Sequence, residues 1–215
     1  MKTVLSIDFS IVMANNLPLV NRLVQEFYGI QNQLDYSPIL NFLPLDLNIY
    51  ESLTEVLYNQ WSQNKDIKTH LVHGQEDTIH FLKEIKKEGE ECRLIHIDYF
   101  PDLEEYTDYL NNANWVKYAI DNNLIDELIW IKDKDSSSEL SPEYDIDTSL
   151  TIQNVIFDLL PKADEIVISS SLEWILPKDE VLLSLWEFLY KKLTGNTEFV
   201  YEEYQDERDL TKSKQ

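Results

Sequence analysis

Apolar and polar positions change period several times along the chain, and each change marks an element. Residues 3–13 (TVLSIDFSIVM) and 93–100 (RLIHIDYF) are dense in β-branched and aromatic residues with an apolar start, which predicts strands. Shorter runs at 69–73, 127–132 and 165–171 predict three more. Between them the spacing is helical. Residues 48–63 place Leu53, Val56, Leu57 and Trp61 on one face, and residues 76–89 do the same with Ile79, Leu82 and Ile85, with Gly89 as a stop. Helices are also predicted over 112–123 (with Asn114 as N-cap), 148–160 and 179–195. The last carries Lys191 and Lys192 in its final turn and Gly195 beyond it.

Strands alternating with helices predict an α/β fold, a mainly parallel sheet covered on both faces. A single domain over residues 1–200 is expected, with a polar Ser/Asp-rich insertion at 132–147 and an acidic tail at 201–215 that is expected to fray.

Length and composition narrow this picture. The 215 residues suffice for one sizeable core, and a hydrophobic share of 43% argues against a disordered chain. Only four glycines occur and no GxGxxG or GxxxxGK[ST] pattern, so a glycine-rich phosphate cradle is excluded. The formal charge of -22 repels nucleic acid and anionic membrane surfaces and favours cationic partners, peptides or metal ions, although solubility alone also explains it. The one cysteine, Cys92, forms no intrachain disulfide and reads as packing. No apolar stretch approaches a membrane span or a signal peptide, so a cytoplasmic protein without membrane contact is expected.

Candidate chemistry gathers where strands end, the place where open parallel sheets bind ligands. The first strand delivers Asp8, with Ser10 on the same face. The 93–100 strand delivers His96, Asp98 and Phe100 on one face, with Asp102 in the loop beyond, and "VHGQED" puts His73 at the end of its own short strand. Three aspartates and a histidine at one sheet edge would suit a divalent ion of intermediate hardness: Mn, Fe or Zn. The plainer alternative is that Asp8 and Asp98 cap loops or pair with cations. His70 and His80 flank His73, and His80 reads as a surface or packing residue. His96 reads as a core histidine or a partner of an aspartate. Ser169, Ser170 and Ser171 lack a nucleophile elbow and read as strand-end groups, while Trp115 and Tyr118 read as a helix packing face.

"SIDFSIVM", "VHGQE", "HIDYFPDL", "NWVKYAI" and "ISSSLEWILP" occur in an order that resembles the peptide arginases and their uncharacterised relatives, within the arginase–deacetylase superfamily, over residues 4 to about 177. The resemblance implies a three-layer α/β/α sandwich. It also implies a dimetal Mn site on a D-x-D strand, a D-x-H-x-D strand and a separate His, which hydrolyses peptide arginine to ornithine and urea. Carried over, it makes Asp8, His73, Asp98 and Asp102 metal ligands and Glu173 the group facing the guanidinium, with Ser10 and Phe100 at vacated ligand positions. Both vacated positions belong to one metal, so one Mn ion, or none, is implied. Three readings stand: a single-metal hydrolase acting on an arginine-containing peptide, a metal-binding but inactive relative, or complete loss of metal; the inactive alternative would serve as an acidic binding or immunity-type protein for a basic partner. Asp133 or Asp135 from the 132–147 loop are further candidates for the vacated positions.

Overall fold

Side-chain alternation along two neighbouring strands determines what covers each face of the sheet. In β1 (Lys2–Asp8), Leu5 and Ile7 point into one apolar cluster and Val4 into a second; in β3 (Cys92–Ile97), Ile95 and Ile97 join the first, and Cys92 and Leu94 the second. A computed structural model describes residues 1–16, 46–106, 109–136, 149–170, 180–196 and 199–202. In chain order its other strands are β2 (Lys68–Val72), β4 (Glu127–Ile131), β5 (Glu165–Ser169) and β6 (Val200–Glu202). They form one six-stranded sheet in the order β4-β3-β1-β5-β2-β6, parallel at every pair. The strands inside it are largely buried, as strands covered on both faces are, and they carry buried polar residues (Ser6, Asp8, Thr69, His70, His96, Ser169) among the apolar ones.

Helices α1 (Leu47–Gln63) and α4 (Glu180–Thr194) supply the first cluster. Its α1 stripe is Ile49, Leu53, Val56, Leu57 and Trp61, and α4 adds Leu183, Trp186 and Tyr190. Helices α2 (Thr78–Lys87) and α3 (Trp115–Asp121) supply the second, with Ile79, Leu82 and Ile85 from α2 and Trp115, Val116 and Ala119 from α3. The expected α/β architecture is therefore present, with helices on both faces of a parallel sheet. Asp46 starts α1 by accepting from the backbone N–H groups of Asn48 and Ile49. Gly89 ends α2 in the left-handed conformation (φ 77°), where glycine pays no Cβ penalty, and the N–H of Glu90 returns to the Ile85 carbonyl.

Several expectations need correction. The first strand does not run to residue 13: it stops at Asp8, whose carboxylate accepts from the Ser10 N–H (2.7 Å) and opens a 3-10 turn, Phe9–Asn16. Ser10 therefore does not share a strand face with Asp8. The helix predicted over 148–160 is absent from the described residues, 149–160. Lys132 instead pairs with Thr151, the Ile152 N–H donates to the Lys132 carbonyl, and the Asn154 side chain accepts from the Thr151 N–H, a local bond that competes with helix formation. Only Phe157–Leu159 is helical there, as a single 3-10 turn before Pro161. Asn114 precedes α3, but its side chain accepts from the Asn111 N–H rather than from the helix. Residues 201 and 202, assigned to the tail, belong to β6 and pair with β2. The rest of the tail, 203–215, lies outside the described residues, as do 137–147 of the polar loop.

Leu53 is fully buried in the first cluster, so Leu53→Ala is expected to cost about 2–5 kcal/mol. Leu185 on α4 is 52% exposed, and Leu185→Ala is expected to change stability by about 0.5 kcal/mol or less. Urea unfolding of the two variants checks the difference; equal losses would contradict this core.

Candidate functional site

The parallel register sets the site. Ser6 lies opposite His96 and Ile7 opposite Ile97, so Asp8 and Asp98 come next, side by side at the carboxyl end of the β1–β3 pair. Alternation puts Ser6 and His96 on the face covered by α2 and α3. There Ser6 Oγ lies 3.3 Å from Thr78 Oγ1, and the His96 ring meets the Trp115 ring edge-on at 5.3 Å. His96 is fully buried, and Asp8, Asp98 and Asp102 are nearly so.

Local structure holds each carboxylate in place. Phe9 lies edge-on to Trp186 (5.0 Å), which stacks on Tyr50 (5.3 Å, 4° between planes), so the turn after Asp8 is anchored in the first core. The Asp98 carboxylate accepts from the Tyr99 N–H, and its backbone carbonyl accepts from Trp130 Nε1 (3.1 Å). Asp102 sits at φ 54°, a left-handed conformation that Asp tolerates better than most residues. Its carboxylate accepts from Trp115 Nε1 (2.7 Å) and its carbonyl from the Lys117 N–H (3.2 Å), which ties the loop to the start of α3.

His96 Nε2 lies 3.4 Å from Asp102 Oδ2, 4.0 Å from Asp98 Oδ2 and 3.2 Å from the Phe100 carbonyl oxygen. One ligand atom from each of His96, Asp98 and Asp102 falls within 4.8 Å of the others, the one such group among the described residues. Gln75, fully buried in the 3-10 turn Gln75–Asp77, sits beside all three. In the orientation that satisfies its neighbours, its NH2 donates to Asp98 Oδ2 (3.1 Å) and Asp102 Oδ2 (3.2 Å). Its carbonyl accepts from His96 Nδ1 (3.3 Å) and the Asp8 N–H (3.2 Å). The opposite orientation would set the amide oxygen against two carboxylate oxygens. With Nδ1–H given to Gln75, the lone pair of a neutral imidazole would face only oxygens. The Nε2 corner therefore calls for a cation, either a proton or a metal ion. One imidazole nitrogen and two carboxylates are a donor set that fits Mn, Fe or Zn.

Crowding shows in the electrostatics. Burial pushes the Asp98 carboxyl well above the ordinary carboxylate range, and the charges of Asp102 and Asp8 push it further; backbone N–H groups of Tyr99 and Phe100 pull part of the way back. Burial also raises Asp102, opposed by His96 and by the Trp115 hydrogen bond. Burial lifts the Cys92 thiol to about 12, which suits packing and not nucleophilic chemistry.

The residues singled out from sequence are distributed unevenly. Asp98 and Asp102 come together with His96, and Asp8 lies alongside, close enough for its charge to act on Asp98. His73 is exposed and outside the group. It follows Val72 of β2, and β5 lies between β2 and β1, a separation of roughly 10 Å at strand spacings of 4.7–4.9 Å. Ser10 is buried in its turn; the Phe100 side chain is 44% exposed, yet its carbonyl faces His96. Glu173 lies outside the described residues. Asp133 is fully buried and bonds Gln153 and the Asp135 N–H; Asp135 is exposed, and neither joins the group. Ser169 and Ser170 donate to the carbonyls of His73 and Val72 at the strand end, and Ser171 lies outside the described residues. His70 is buried beside Glu165 (3.3 Å) and stacks near Phe81. Sequence reasoning missed Gln75 altogether and put His96 outside the ligand set. β3 stops at Ile97, so Asp98 and Phe100 lie beyond the strand, and Phe100 does not share a face with His96 as expected. The signal for His96 was its i, i+2 spacing to Asp98.

No family model, curated protein or solved structure matches the chain.

A carboxyl whose native pKa is raised above its unfolded value stabilises the fold fully below about pH 3.9, and that stabilisation is lost as pH rises through the raised value. With chelator present, Asp98→Asn is therefore expected to raise the melting temperature at pH 8, by about 2–4 °C per kcal/mol of relieved repulsion, and to leave it nearly unchanged at pH 4. Thermal unfolding at both pH values checks this. An equal shift at both would remove the crowding argument.

Proposed function

We propose that this chain holds one divalent cation of the Mn class at His96, Asp98 and Asp102, and acts on the arginine side chain of a peptide in the manner of the peptide arginases it resembles. The observation that carries the reading is the convergence of three ligand atoms within 4.8 Å at the carboxyl edge of a parallel sheet. When bound, such an ion lowers the pKa of water toward neutrality and so supplies a nucleophile at neutral pH.

The protein's part is binding and orientation. Asp98 and Asp102 supply the negative charge that holds the ion, and His96 the nitrogen. Asp8 adds a charge that favours cations, and Trp115 and Gln75 keep the carboxylates turned inward. Glu173 remains the residue proposed to orient the guanidinium. The overall reaction is water plus peptidyl-arginine giving peptidyl-ornithine and urea. The proposed ligand set differs from the one the resemblance implies, with His96 in place of His73 and with Asp8 beside the set rather than in it.

A second reading draws on the formal charge of -22 together with Ser10 and Phe100 at ligand positions of the family pattern. It makes the chain an inactive relative that binds a basic partner by charge complementarity.

Calorimetric titration with Mn(II) is expected to show one ion per chain, and at a hundredfold excess over Kd the ion should stabilise the fold by about 2.7 kcal/mol. Asp98→Ala should abolish both effects. Urea release from arginine-containing peptides separates the two readings. Binding without urea leaves the inactive relative, and no binding at all sinks the cation site.

A further inference from the structure

We infer that Gln75 is the positioning residue of this site: its carboxamide fixes which nitrogen of the His96 ring meets the carboxylates and holds Asp98 and Asp102 turned toward one another. The inference deepens the cation-binding reading and, in its metal-affinity arm, rests on it.

Gln75 comes from a distant part of the sheet. It lies in the turn after β2, yet its carboxamide bonds Asp8 at the end of β1 and His96 on β3. The turn must therefore reach past β5 to the β1–β3 pair. Its own placement is fixed, since the Gln75 N–H donates to Asn112 Oδ1 (2.9 Å) from the loop before α3, and the turn leads directly into α2. The side chain is fully buried, so every polar atom on it needs a protein partner.

The chemistry is specific to a primary amide. Two N–H donors reach two carboxylate oxygens, while one oxygen accepts from an imidazole N–H and a backbone N–H, and no charge is added to an already acidic corner. Glu at this position would accept from His96 but repel the aspartates. Met would fill the space and satisfy none of the four groups. Histidine ligands to metals characteristically donate their second ring N–H to an outer oxygen that sets tautomer and ring angle, and loss of such a partner lowers metal affinity by about 10–100-fold. Gln75 stands where that partner belongs.

Two readouts test this, one of them without metal. In histidine-15N-labelled protein, which has four histidines, the metal-free wild type is expected to show a slowly exchanging Nδ1–H resonance for His96, absent in Gln75→Met and retained in Gln75→Glu. By calorimetry, Gln75→Met is expected to bind Mn(II) about 10–100-fold more weakly than wild type. A folded Gln75→Met that keeps the His96 resonance and wild-type affinity overturns the inference, because a merely structural glutamine would change stability alone. If wild type binds no Mn(II) but the resonance disappears in Gln75→Met, the cation reading fails and the hold of Gln75 on His96 stands. Should Gln75→Met not fold, Asn112→Ala loosens the same side chain through its backbone. Faster Nδ1–H exchange is then expected, and an unchanged exchange rate overturns the inference.

Discussion

Three buried carboxylates share one corner of this sheet, and the rest of the site is organised around that cost. An isolated ionised carboxylate in a protein interior is expensive, and two more nearby raise the cost through mutual repulsion. Asp8, Asp98 and Asp102 meet it in different ways. Asp8 spends its charge on the N–H that opens the turn after β1, Asp98 takes up backbone N–H groups of its own loop, and Asp102 takes the indole N–H of Trp115. The Asp98 and Asp102 oxygens nearest His96 Nε2 accept from neutral groups, Gln75 and Trp115, which is why that corner suits a positive ion.

Both faces of the sheet contribute to holding this corner. The first core fixes the β1 end through Phe9 against Trp186 and Tyr50, and Trp130 at the end of β4 grips the backbone of Asp98. The second core brings Trp115 down from α3, and the turn after β2 brings Gln75 across. Large aromatic residues therefore act at the site through their N–H groups and their bulk. The aromatic content that reads as core in the sequence is core, and it also sets the position of the polar groups.

Much of the fold was legible because period and burial agree: the runs expected at 69–73, 127–132 and 165–171 hold the strands Lys68–Val72, Glu127–Ile131 and Glu165–Ser169, and the α1 and α2 stripes are buried as spaced. What failed has local causes. A strand was read through Phe9 because its sequence stays apolar, whereas the Asp8 side chain turns the backbone. A helix was read over 148–160, whereas Asn154 diverts the backbone. β6 is too short and too late in the chain for a periodic signal. At the site, Asp98 and Asp102 were visible as carboxylates at a strand end. The roles of His96 and Gln75 depend on which strands are neighbours, and the order β3-β1-β5-β2 cannot be read from spacing. That same order leaves His73 apart from the group.

The left-handed backbone at Asp102 constrains how this corner can change over generations. Glycine, asparagine and histidine enter that conformation more readily than glutamate, the other carboxylate donor, which does so at a cost of roughly 1–2 kcal/mol. The path of least resistance away from aspartate therefore removes a negative charge. The backbone angle at that single position thus limits how much negative charge the corner can carry.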